Sequence, residues 1–233
     1  MSMSGINQGK IISQLISTFD PIESEVIRMM GNREIFQELI RISKNNSKIN
    51  KDNSFWDFLK ESYVALMVSA ACRQTDTDSR SASLINLLNT LLKPQVSKAL
   101  TKAWYCQQYH RDNDIMPGFM EGMGKDDFEE HFGSDEHIDT SIVQADLDEL
   151  VEKTKKIKRY RNKRIAHGDR NNKLVFDVNF NDLDEAIETI RKITSKYYLL
   201  LKQSGNDLVP VDQTDWQEML TVPWIERNSY ENN

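Results

Sequence analysis

About two thirds of the way along the chain, ten residues carry side chains suited to proton transfer and to holding an oxyanion: Tyr160-Arg161-Asn162-Lys163-Arg164-Ile165-Ala166-His167-Gly168-Asp169. A histidine with an ordinary pKa of about 6.5 can take and return a proton near neutral pH. An arginine stays cationic, and its planar donor fork holds two oxygens of one phosphate. The same stretch also reads as the solvated basic end of a helix, because cations near a helix C-terminus are favoured by the macrodipole. At about 100° per residue, Arg161 and His167 stand roughly 120° apart around an ideal helix, and Arg164 and His167 only about 60°. Arg161 and His167 therefore meet only if the helix ends before His167 or if a second chain completes the site. Arg164 is a secondary candidate for the phosphate role.

The charge distribution singles out the same stretch. The 233 residues carry a formal net charge of -6, which as a total argues against a polyanionic partner. The total hides two adjacent windows: residues 111–150 carry a net -11, and residues 151–174 carry +8. Lys155, Lys156, Lys158, Arg159 and Lys163 make the second window a candidate surface for a nucleic-acid backbone.

Helices must position these residues. Glycine and proline are scarce, and the apolar residues repeat at helical spacing, which predicts an all-α bundle of about five to seven helices. Asp20-Pro21-Ile22-Glu23 reads as an N-cap and first turn, with a break near Gly31-Asn32, leaving residues 1–19 as an arm. Ser54 caps a helix whose stripe Phe55, Phe58, Leu59, Ala65, Leu66 and Ser69 is expected to face the core. The turn DTDSRS leads to SASLINLLNTLLK, whose leucines follow a buried helix face, and Pro94 starts a further helix through Val96, Leu100, Trp104 and Tyr105. Residues 110–139, acidic and rich in Met and Gly, read as an irregular insertion. From Thr140 a long helix is expected, with Val143, Leu147, Leu150, Val151, Thr154 and Ile157 inward, ending near His167-Gly168. KLVFDVNF alternates weakly, and LDEAIETIRKITSKYYLLLK is a last amphipathic helix, starting at Asn181 or Asp182. The main domain is thus 20–204, and 205–233 is a tail holding Trp216 and Trp224, expected to pack partway and then fray.

Composition excludes several classes. With 39% apolar residues and no apolar run of about 18, a membrane-spanning protein is not expected, and the first 20 residues lack a secretory leader, which points to the cytosol. The chain has no Walker loop, dinucleotide glycine pattern, nucleophile elbow, HExxH or CxxC. Cys72 and Cys106 read as buried free thiols. His131 and His137 lie among Glu129, Glu130, Asp135 and Glu136, but their spacing matches no standard metal site, so no metal or other cofactor is expected. The Met/Gly stretch reads as a flexible insertion before a soft partner-binding loop.

RNKRIAH resembles the signature of the HEPN superfamily (higher eukaryotes and prokaryotes nucleotide-binding): an arginine, often with a polar neighbour, then a histidine four to six residues later. Arg161, Asn162 and His167 match it. The stretch SYVALMVSAACRQTDTDSRSASLINLLNTL, with Asp76 and SASL before a Leu-rich helix, is similar to the abortive-infection (AbiU-like) branch, tied to phage resistance. The resemblance covers roughly Ser54 to Lys202.

It implies a helical bundle, a homodimer whose facing motif helices form one composite site, and metal-independent endoribonuclease activity in phage defence or as a toxin, with tRNA as one candidate substrate. Such cleavage uses the ribose 2′-OH as nucleophile. His167 from each protomer would supply the acid and the base, and Arg161 of each the phosphate clamp. Asn162 can orient His167 or donate to a phosphate oxygen. An antitoxin or other defence-system protein is a further partner class the resemblance implies. Some members have lost catalysis, so a non-catalytic dimerisation or RNA-binding module is the alternative. A third reading has the acidic window covering the basic one until a trigger arrives.

Overall fold

The computed structural model describes residues 5–51, 53–107, 117–166, 178–210 and 215–222. Among them are eight α-helices and no strand, as the all-α reading expects. In chain order these are α1 (Gly5–Lys44), α2 (Ser54–Gln74), α3 (Leu84–Leu91), α4 (Pro94–Ser97), α5 (Lys102–Gln107), α6 (Pro117–Phe132), α7 (Thr140–Tyr160) and α8 (Phe180–Lys202). A π-helical turn, Arg161–Ala166, continues α7, and a single 3₁₀ turn, Glu218–Leu220, lies near the end.

The core is built around α3. Ser83 caps it, accepting from the Asn86 amide at 3.3 Å, and Leu84, Leu87, Leu88 and Leu91 are completely buried. α3 packs on α1 and α7, and α8 completes the bundle against α7, α1 and α2. α7 and α8 run antiparallel: Asp146 accepts from both Lys196 Nζ and the Tyr197 hydroxyl at 2.7 Å, and ten residues on Lys156 Nζ reaches Asp182 at 2.8 Å. Asn179 and Asp182 cap α8 reciprocally, each side chain accepting from the other's amide at 3.0 Å.

Four local expectations are corrected. No helix starts at Pro21 and none breaks at Gly31: α1 is one helix of 40 residues with Pro21 inside it. Ile12, Leu15 and Phe19 are buried beside Ile22 and Val26, so core packing holds the helix through a residue that removes one of its hydrogen bonds. Gly31 serves closeness instead, since a Cβ there would meet the Pro210 ring at 3.0 Å.

The inward face of α2 is also not the expected one. Tyr63, Met67, Val68, Ala70, Ala71, Cys72 and Gln74 are buried, while Phe55, Phe58 and Leu66 are about half exposed or more. Only the C-terminal half of α2 is enclosed by its neighbours, so its small residues take the core side. Likewise Val151 on α7 faces solvent.

The helix expected from Pro94 is two short ones, α4 and α5, interrupted where Thr101 bridges His137. The acidic segment is not irregular throughout: residues 117–132 form α6, and Phe128 and Phe132 pack on Tyr105 in the core. α6 closes on Gly133, whose φ of 100° and 2.9 Å approach to Asp139 Cβ suit glycine alone. Residues 108–116, most of KLVFDVNF and Trp224 lie outside the described residues.

Candidate functional site

Helical periodicity divides the basic window into three faces. Thr154, Ile157 and Arg161 stand at i, i+3 and i+7, and the first two are buried, which carries Arg161 inward toward the end of α2. Lys158 shares that side. Lys153 and Lys156 lie toward α8, where they pair with Glu185 and Asp182. Lys155, Arg159 and Asn162 form the outward face and are exposed, with Lys155 bonded to Glu152 one turn away at 3.4 Å. Among the described residues, the acids that meet the basic window are thus Glu152 of α7 and Asp182 and Glu185 of α8, with Asp76 of the α2–α3 turn beside Arg161. Among the described residues of the acidic window, Glu129 instead pairs with Lys102, and Asp146 with Lys196.

Arg161 opens the π-helical turn, and its amide donates to the carbonyls of both Ile157 and Lys158. Six residues in the i→i+5 pattern widen the helix where the motif begins, and such widening concentrates at functional sites. The side chain enters a polar pocket of about 340 Å³ with Lys158 beside it, walled by Ser69, Cys72 and Arg73 of α2 and by Thr75, Asp76 and Thr77 of the α2–α3 turn. Its Nε is buried and has no hydrogen-bond partner among the described residues.

Each wall is held in place. Lys158 Nζ donates to the Thr75 carbonyl oxygen at 2.9 Å, at the C-terminal end of α2. Asp76 accepts from the Asp78 amide at 3.1 Å and from the Ser81 hydroxyl at 2.8 Å. Those two bonds, aided by the Arg161 charge, hold its carboxyl below the usual range. Ser83 Oγ donates to the Asp76 carbonyl at 2.6 Å, joining the turn to the cap of α3. Arg73 and Gln74 both reach Glu25 on α1. Burial pushes the Cys72 thiol up in pKa, against the opposing charges of Arg161 and Lys158 and a hydrogen bond with Arg161. The pocket therefore offers three cations, one carboxylate and several hydroxyls, a set with the chemistry to hold an oxyanion beside Arg161 Nε.

Of the sequence candidates, Arg161 and Lys158 are brought together, and Asn162 joins Lys155 and Arg159 on the outer face. Lys163 is half-buried. Arg164 is described by its backbone alone, and His167 lies outside the described residues. The sequence reading missed Ser69, Cys72, Arg73, Thr75 and Thr77 as pocket residues, and it used Asp76 only as a mark of resemblance. The available signal was the cluster of turn-forming residues directly after an apolar helix. Both cysteines are buried free thiols. Among the described residues no group of three or more His, Cys, Asp or Glu is placed to hold a metal ion; His131 lies 3.6 Å from Asp127, and His137 Nδ1 contacts the Ile138 carbonyl. No helix among the described residues is long and apolar enough to cross a membrane.

No curated protein and no solved structure matches the chain. The model of the HEPN_AbiU2 family, described as AbiU2, matches residues 13–219, which include α2, the α2–α3 turn, α7 and the Arg161 motif. With most of its length matched, this chain belongs to the HEPN AbiU2 family.

Proposed function

We propose that the protein is a metal-independent endoribonuclease of the HEPN type, acting in abortive infection as a homodimer. The observation that carries this reading is Arg161: the arginine that matches the family's motif stands in a built polar pocket with a buried Nε that no group among the described residues satisfies. RNA supplies what the pocket lacks, a phosphate oxygen, and the exposed cations Lys155 and Arg159 on the same helix extend the contact along the backbone. In this reading His167 of one protomer takes the 2′-OH proton, and the partner copy's histidine protonates the leaving 5′-oxygen. Arg161 holds the extra charge of the phosphorane, the stage at which a fixed guanidinium gains most.

The test is purified protein with tRNA and other cellular RNA in excess chelator, beside His167→Ala, with the RNA ends mapped. Products ending in 2′,3′-cyclic phosphate, lost in the variant, are expected. Equal cleavage by His167→Ala, or cutting of all-DNA strands, which have no 2′-OH, overturns the reading. Binding and biological effect that survive His167→Ala, but not reversal of Lys155 and Arg159, would instead identify a non-catalytic RNA-binding module.

A further inference from the structure

A second recess lies at the opposite end of α2 from Arg161, and its chemistry differs throughout. Between the last turns of α1, residues 46–49 and the first turns of α2 runs a groove of about 670 Å³, closed on its fourth side by residues 216–222. Ile35, Leu39 and Ile42 form one wall, Phe55 and Leu59 the other, and Trp216 overhangs it. The volume falls within the range of small-molecule sites. Phe55 is 54% exposed and Val222 58%, so the lining leaves much apolar surface uncovered.

Polar groups in the groove are largely committed elsewhere. The Trp56 indole N–H donates to the Ile49 carbonyl at 2.9 Å, and Asn53 Oδ1 caps α2 through the Phe55 and Trp56 amides. Asn53 Nδ2 donates to the Lys51 carbonyl, and Asn46 Oδ1 takes the Lys48 amide. Among the described residues of the lining, the one full charge is the Lys48 ammonium, which makes no ion pair with any of them. A polar ligand finds few partners here; a long apolar body with a single anionic end is matched along its whole length.

We propose that this groove binds a free single-chain amphipathic anion, an alkyl carboxylate, with its tail between α1 and α2 and its carboxylate on Lys48. Roughly 21 Å of helix separates Phe55 from Ser69, the first wall residue of the Arg161 pocket, so this site is distinct from the one proposed for RNA and does not depend on it.

Dodecanoate titrated onto the full chain below its self-assembly concentration, followed by tryptophan fluorescence and calorimetry, tests this directly. Saturable one-to-one binding is expected. Lys48→Met should weaken dodecanoate by about tenfold and leave dodecan-1-ol unchanged, because only the charged contact is lost. Phe55→Asp, at an exposed position that circular dichroism can show to be folded, should abolish both. Absence of saturable binding, or binding indifferent to both substitutions, overturns the proposal. So do three other outcomes: a self-associating chain that Phe55→Asp makes monomeric, binding that emerges only when Trp224→Asp is introduced, and binding to anionic vesicles without binding to free dodecanoate. These would assign the groove to a second copy, to the chain's own tail and to a membrane surface in turn.

Discussion

Lys158 Nζ and the Thr75 carbonyl oxygen, 83 residues apart in sequence, lie 2.9 Å from each other and fasten the end of α7 to the end of α2. A cation at a helix C-terminus both satisfies an orphan carbonyl and meets the negative end of the dipole. Lys158→Ala should therefore cost about 1 to 2 kcal/mol in urea unfolding. Lys155→Ala and Arg159→Ala, on the exposed face, should leave the urea midpoint unchanged and each lower the salt slope of RNA affinity by about one. An unchanged midpoint for Lys158→Ala would remove it from the framework of the site.

Arg161→Lys keeps the charge and loses the fork. Cleavage is expected to fall by at least about a hundredfold, with little recovery over Arg161→Ala, because a point charge cannot hold two phosphate oxygens from that position. Melting curves of both variants check that the fold is intact. A lysine variant near wild-type activity would show that simple charge suffices.

Gln74 is completely buried where three helices meet: its Nε2 donates to Glu25 on α1 at 2.7 Å, and its Oε1 accepts from the Leu84 amide of α3 at 3.3 Å. Gln74→Leu keeps the volume, strands the Leu84 amide and takes one donor from Glu25, which keeps Arg73. A loss of about 2 to 4 kcal/mol is expected from chemical denaturation.

How much of this was legible in sequence depended on whether a local signal competed with packing. The leucines of α3 and the inward residues Val143, Leu147, Leu150 and Ile157 of α7 were legible because their period agrees with their burial. Pro21 was misread because a proline is a strong local stop, whereas Phe19 and Ile22 on either side of it are completely buried. The faces of α2 were misread because large apolar residues outweighed small ones in the pattern, yet Ala70, Ala71 and Cys72 occupy the core. The pocket around Arg161 is assembled from α2, the turn after it and α7, and no local period reports a meeting of segments some 80 residues apart.

The α1 result carries its own test. Phe19→Ala should destabilise the protein by about 3 to 5 kcal/mol, the cost of a large buried cavity, measured as a shift of the urea midpoint. A shift under about half a kcal/mol would return residues 1–19 to the status of a loose arm.

Acid should unfold the protein early. Asp182 is held below the usual carboxylate range mainly by its hydrogen bond from Lys156, and Glu188 mainly by its bond from Arg191 with Arg33 assisting. Carboxylates with depressed folded-state pKa values contribute stability above their unfolded values, near pH 4, and lose it as pH falls through the folded ones. At the other end, burial pushes Tyr63 up to about 12, so its contribution is present below about pH 10 and is lost as pH rises toward 12. Urea midpoints between pH 2 and 12 should thus fall at both ends. A flat acid limb would mean that these ion pairs persist in the unfolded chain.

The widened turn Arg161–Ala166 also sets how the motif tolerates a change of length. A helix closing every ring one residue later holds a surplus residue over an α-helix of the same reach. Deleting Lys163 should let the stretch tighten to ordinary pitch and give up only that surplus, so the direction of the chain beyond it relative to Arg161 is kept. The turn thus works as a one-residue reserve: a second deletion, with no surplus left, would swing the chain beyond by about 100° around the axis.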